Sequence, residues 1–157
     1  MALVGLVFLD TTVLLAGMID MGDVSVGAQA ALTAVAAGRL KRPLTAWHCC
    51  LEFYSVATRL PPEIRLRPEE AVRLLDEEVL ARFAVVDLPA RERMRLPRDA
   101  VGDGVAGGRV YDLHIAEVAR AHGARMVVTD NRRHFAPLLR YGIRVLDTNE
   151  FVSETGS

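Results

Sequence analysis

The chain has 157 residues, 51% apolar and 25% charged, with a formal net charge of −1. That length and composition predict a single globular domain with a proper core over residues 1–152. The charge balance excludes a global pull toward nucleic acid or membrane, and the apolar content excludes a disordered chain.

The start, Met1 to Asp10, has no basic region and reaches an acid within ten residues, so it does not read as a secretory leader. "LVGLVFL" is a short branched apolar run, which predicts a buried strand ending near Asp10. "VGAQAALTAVAAGRL" is Ala-rich and helical, closed by Gly38. "RPLTA" is a second short strand, followed by the helix "WHCCLEFYSVATRL", which Pro61 and Pro62 stop. Cys49 and Cys50 stand side by side on that helix, about 100° apart, poorly placed to bridge each other. With no disulfide framework and no zinc spacing they read as packing residues of a cytoplasmic protein.

"RPEEAVRLLDEEVLARF" opens with Pro68 and two acids, the signature of a helix start. "FAVVDL" is a third strand. "PARERMRLPRDAVGDGVAGG" is a weak helix running into a Gly-rich entrance loop. "RVYDLHIAEVARAHG" is a helix closed by Gly123, "ARMVVTD" a fourth strand, "NRRHFAPLLRYG" a short helix and "IRVLD" a last strand. The tail, residues 153–157, reads as disordered. Strands alternating with helices predict an α/β fold: a mainly parallel sheet of four to five strands covered on both faces. No apolar run is long enough to span a bilayer.

Asp10 ends the first strand and Asp130 the fourth, so a parallel sheet puts both on the rim where such sheets bind ligands. Asp10 has no basic residue within ten positions, and burying an unpaired charge costs several kcal/mol. Asp112 opens its helix on the apolar stripe of Ile115, Ala116 and Ala119. Helix-dipole attraction explains an acid in a first turn, but not one on the stripe that meets the sheet. Glu52 shares a polar face with His48, Ser55 and Arg59, which by itself reads as a solvent face. Asp130 also fits a cap for the helix that follows. Together the acids suggest one cleft whose mutual repulsion calls for protonation or a cation. Oxygen donors without a Cys or His set point to magnesium, with manganese as its substitute, and such sites suit phosphodiester hydrolysis.

The pieces "LDTTVLL", "LEFYSVATRLP", "GGRVYDLHIAEVARAHGARMVVTDNRRHF" and "GIRVLD" occur in order over nearly the whole chain. In these the chain resembles the PIN-domain nucleases, and among them the VapC-type toxins of type II toxin–antitoxin pairs. The resemblance implies a three-layer α/β/α sandwich and a metal-dependent endoribonuclease. Asp10, Asp112 and Glu52 would then hold the metal, with Asp130 a fourth catalytic candidate. Thr12 matches the hydroxyl that follows the first acid. The last acidic or amide position falls on Asn131, one residue past Asp130. Arg59, Arg109, Arg132 and Arg133 are candidates for phosphate contacts, with solvation the plain alternative for each. An RNA substrate, a VapB-like antitoxin and a homodimer follow by the same analogy.

A haloacid-dehalogenase-type phosphotransferase would need a second Asp at the position of Thr12, and a receiver domain a late Lys where Lys41 is the only one. A phosphate loop with Gly-Lys-Ser/Thr is absent. The remaining rival is a catalytically weak or inactive PIN fold kept to bind antitoxin or RNA, against which the retained acids argue.

Overall fold

The computed structural model describes residues 5–156. Five strands form one sheet: β1 (Leu6–Leu9), β2 (Leu44–Ala46), β3 (Ala84–Val86), β4 (Ala124–Val128) and β5 (Arg144–Leu146). Their order is β3-β2-β1-β4-β5, and every neighbouring pair is parallel. The helices are α1 (Thr11–Met18), α2 (Val26–Ala36), α3 (Trp47–Ala57), α4 (Pro68–Leu74), α5 (Ala90–Gly102), α6 (Arg109–Ala121), α7 (Arg132–Phe135) and α8 (Thr148–Thr155).

The order explains the layers. From β1 to β3 the chain winds outward one way; from β3 it returns past β1 to β4 and continues to β5. Right-handed crossovers then put the helices before β3 on one face and α5 to α7 on the other, while α8, after the last strand, packs back on α2. Accordingly α1 packs on α2 and α3, while α6 packs on β2, β4, α5 and α7. The direction reverses between β1 and β4, so the cleft of this α/β/α sandwich opens beyond their carboxyl ends. β1 is central because it can be: Val7, Phe8 and Leu9 are all buried, as a strand covered on both faces requires.

Two helices exceed the sequence expectations. α1 follows Asp10 at once, with Val13, Leu14 and Ala16 buried. Its "TTVLLAGM" has almost no polar face, so no helical period marks it in the sequence. α8 takes in Ser153, Glu154 and Thr155, where a disordered tail from residue 153 was expected. Asp147 caps it by accepting from the Glu150 N–H at 2.8 Å, Glu154 pairs with Arg144, and Phe151 is fully buried. Of the tail, Ser157 lies outside the described residues. The helix from Pro68 continues beyond Leu74 as a wider π-type turn through Leu80. α5 accommodates Pro97 in its interior, on a helix where Ala100 alone is buried. The Gly-rich segment after it is tied down by an Asp103–Arg140 ion pair. Cys49 and Cys50 are free and buried. Among the described residues no single helix is long and apolar enough to cross a membrane.

Candidate active site

Asp10 stands where β1 gives way to α1. Its N–H donates to the Val128 carbonyl at 3.1 Å, extending the β1–β4 ladder by one rung, and its carbonyl accepts from the Val13 and Leu14 N–H groups. The backbone is thereby held from both sides and the carboxylate is aimed into the switch-point crevice. That carboxylate is 3% exposed. Its partners are neutral: Thr129 Oγ1 donates to Oδ2 at 2.8 Å and Thr12 Oγ1 at 3.2 Å. Burial pushes its pKa up to about 6; the hydrogen bonds from Thr129 and the Thr11 backbone oppose the rise, and the charges of Glu52 and Asp112 add to it. Thr11 Oγ1, buried beside it, lies close enough to favour the ionised form of Glu52 yet closes no hydrogen bond of good geometry.

Glu52 comes from the middle of α3 and Asp112 from the first turn of α6. Both are half-buried at the same crevice, near enough for their charges to act on Asp10. Each meets a histidine. His48, one turn before Glu52, directs Nε2 at Oε2 across 3.7 Å. This contact is the main reason the Glu52 carboxyl lies below the usual carboxylate range; burial opposes it. His134 Nδ1 lies 2.6 Å from Asp112 Oδ2 and 2.7 Å from the side-chain amide of Asn131. Neither histidine was singled out as a site residue from the sequence. The signal for His48 was present, because it lies four residues from Glu52 on one helical face. His134 had none, since its partner is 22 residues away on another helix.

Asp130 takes another course. Its N–H donates to Thr12 Oγ1 at 3.1 Å, but its carboxylate turns to the start of α8, accepting from Thr148 N and Oγ1 at 3.4 and 3.2 Å. The expected cap on the following helix is thus replaced by an acid at the first turn of a later one, where the helix dipole favours it. Asn131 occupies the N-cap position of α7 instead. Among the arginines, Arg59 is near enough to help keep Glu52 ionised. Arg109 shares a small cavity of about 30 Å³ with Asp112 and His134. Arg132 is committed to Glu150 on α8. Arg133 is exposed beside it.

Three carboxylates and three threonine hydroxyls thus face one crevice. Among the described residues no three acidic, histidine or cysteine side chains close on one point as ion ligands; Glu52 and Asp112 each contact a histidine, His48 and His134. The donor chemistry nevertheless fits a hard divalent cation. Among the described residues Asp10, a buried acid, has no cationic partner, and two further acids whose charges reach it share its crevice.

The PIN domain family model matches residues 7–138. The chain belongs to the PIN-domain family. A curated relative, Ribonuclease VapC40 of Mycobacterium tuberculosis, is 32% identical over 123 residues, 78% of this chain and 85% of that protein. Ribonuclease VapC27 of the same organism is 40% identical over 85 residues, 54% of this chain; the match spans 60% of VapC27. Two solved structures share the fold. The VapBC-1 structure from nontypeable Haemophilus influenzae aligns with TM-score 0.63 at 17% identity, covering 92% of this chain and 98% of that one. FitAB bound to a DNA fragment aligns with TM-score 0.58 at 16% identity, covering 90% and 94%.

Proposed function

We propose that this PIN-domain protein is a divalent-metal-dependent endoribonuclease, the toxin of a VapBC-type toxin–antitoxin pair. The observation that carries the reading is Asp10: an acid buried at the switch point, without a cationic partner among the described residues, in a crevice it shares with Glu52 and Asp112. The VapC relatives support the activity, and the VapBC and FitAB structures support an antitoxin partner. Asp10, Glu52 and Asp112 hold the ion, Mg²⁺ with Mn²⁺ as substitute. When bound, such an ion polarises a phosphoryl oxygen and acidifies a water. Thr12 and Thr129 fix the Asp10 carboxylate, and His134 with Asn131 orients Asp112. Arg59, near Glu52, and Arg109, beside Asp112, would take backbone phosphates of a single-stranded or looped RNA, with the exposed Arg133 a further candidate. Arg132 and the Asp130 carboxylate serve chiefly to hold α8.

The antitoxin would place an Arg among the three acids, pairing with carboxylate through its fork. Its helix has a seat in the apolar groove of about 220 Å³ between α3 and α4, where Trp47, Leu51, Val72 and Leu80 are exposed. The protein works in the cytoplasm as a homodimer, by analogy with its family. The test is cleavage of a structured RNA by purified protein with Mg²⁺, with Mn²⁺ and with chelator. Cleavage that needs either ion supports the reading. RNA bound but left intact with both ions would favour the rival, a PIN fold kept for binding.

A further inference from the structure

α3 carries Glu52 and α6 carries Asp112, so the distance between the two acids depends on how these helices are held together. Both approach β2, and among the described residues a single hydrogen bond joins them: His48 Nδ1 to His114 Nδ1, 3.2 Å apart. The His48 ring also rests on α6 through two aromatic contacts, against Tyr111 (centroids 5.6 Å apart) and edge-on to His114 (5.2 Å). Tyr111 is the residue before Asp112 and His114 the second after it. His48 therefore lodges between the two rings that flank Asp112 while its far nitrogen points at Glu52.

The tautomers follow from these contacts. Two facing ring nitrogens can hydrogen-bond only if one carries a proton and the other a lone pair. His48 Nε2 faces the Glu52 carboxylate and so carries its proton there, which leaves His48 Nδ1 as the acceptor. His114 Nδ1–H is then the donor; Asp87 Oδ1, which faces its Nε2, is the farther carboxylate at 3.9 Å and the more exposed, 53% against 36% for Glu52, so it competes less for a ring proton. One polarised line runs from α6 through His114 and His48 to Glu52. We infer that His114 is a positioning residue: through its hydrogen bond to His48 it sets the place of Glu52 relative to Asp112, and with it the affinity of the three acids for a cation. This rests on the metal-site reading above.

The test measures Mn²⁺ affinity by calorimetry, with thermal unfolding followed in parallel. His114→Phe keeps the ring and removes the donor; Mn²⁺ should bind about tenfold more weakly, the usual effect of losing a partner that orients a ligand. His114→Asn restores an N–H at the place of Nδ1 and should return affinity to within about twofold of the parent. His48→Phe should match His114→Phe, and the double variant should be no worse than either alone, because the two residues act as one unit. In RNA cleavage the His114→Phe loss should shrink as Mn²⁺ approaches saturation. Unchanged affinity in His114→Phe, or losses that multiply to about a hundredfold in the double variant, would overturn the inference while leaving the nuclease reading intact. If His114→Phe does not fold, His114→Leu removes the donor instead: about tenfold weaker binding in it beside near-parental affinity in His114→Asn supports the clamp, and parental affinity in both overturns it. A parent protein that binds no Mn²⁺ overturns the metal reading and this inference with it.

Discussion

Replacing Asp10 with Asn should make the metal-free protein more stable, although Asp10 is the residue most central to the proposed site. Its pKa rises from 3.8 to about 6 in the fold, chiefly through burial. The native state therefore holds this proton more tightly than the unfolded chain does. The destabilisation is absent below about pH 4, grows as pH rises through the window between 3.8 and about 6, and is complete above it. A shift of about two units corresponds to ~3 kcal/mol at neutral pH. Asn keeps an oxygen to accept from Thr12 and Thr129, but puts an N–H₂ in place of the second oxygen, so that these hydroxyls and the Thr11 backbone N–H compete for one acceptor, a cost of about 1–2 kcal/mol. The net gain should be about 1–2 kcal/mol, or roughly 2–8 °C in Tm for a chain of this size. Circular dichroism melts of both proteins in chelator, at pH 7.5 and pH 4, measure it. Asp10→Asn should melt higher at pH 7.5, and its advantage should vanish or reverse at pH 4. An Asn variant that melts lower at pH 7.5, or a difference equal at both pH values, would refute the reasoning from an uncompensated buried charge.

Four further outcomes are expected. Mn²⁺ at 100 times its dissociation constant should stabilise the parent by about 2.7 kcal/mol and Asp10→Asn by much less, read by the same melts. Asp112→Asn should fold normally and lose RNA cleavage by about a hundredfold or more, as should Glu52→Gln, in a fixed-time assay on labelled RNA. Asp130→Ala should cost about 0.5–1 kcal/mol by loosening the start of α8, with a far smaller loss of cleavage than Asp112→Asn shows. Co-purified antitoxin should silence the nuclease, and Ala in place of its inserted Arg should restore cleavage while leaving much of the binding.

Much of the architecture could be read from local pattern. Short apolar runs alternating with helical ones require a parallel sheet, and that requirement alone brings the end of β1 and the end of β4 to one rim. Asp112 on the stripe of Ile115, Ala116 and Ala119 pointed inward for the same reason: a helix buries one side, and that side is visible in its spacing. α1 escaped notice because it is buried nearly all round and has no period. α8 escaped because its short "TNEFVSET" looks like a polar tail until Phe151 finds the core.

What only the tertiary structure decided is where each polar group finds its partner. Asp130 and Arg132 sit in the most family-like stretch of the chain, yet both turn to α8, through Thr148 and Glu150. His134 reaches Asp112 and His114 reaches His48 across gaps of 22 and 66 residues. Burial of apolar residues is set by periodicity, which is local and therefore legible in the sequence. Hydrogen bonds and charge pairs are set by distances of a few ångströms between groups far apart in the chain, and those distances exist only once the sheet has brought the helices together.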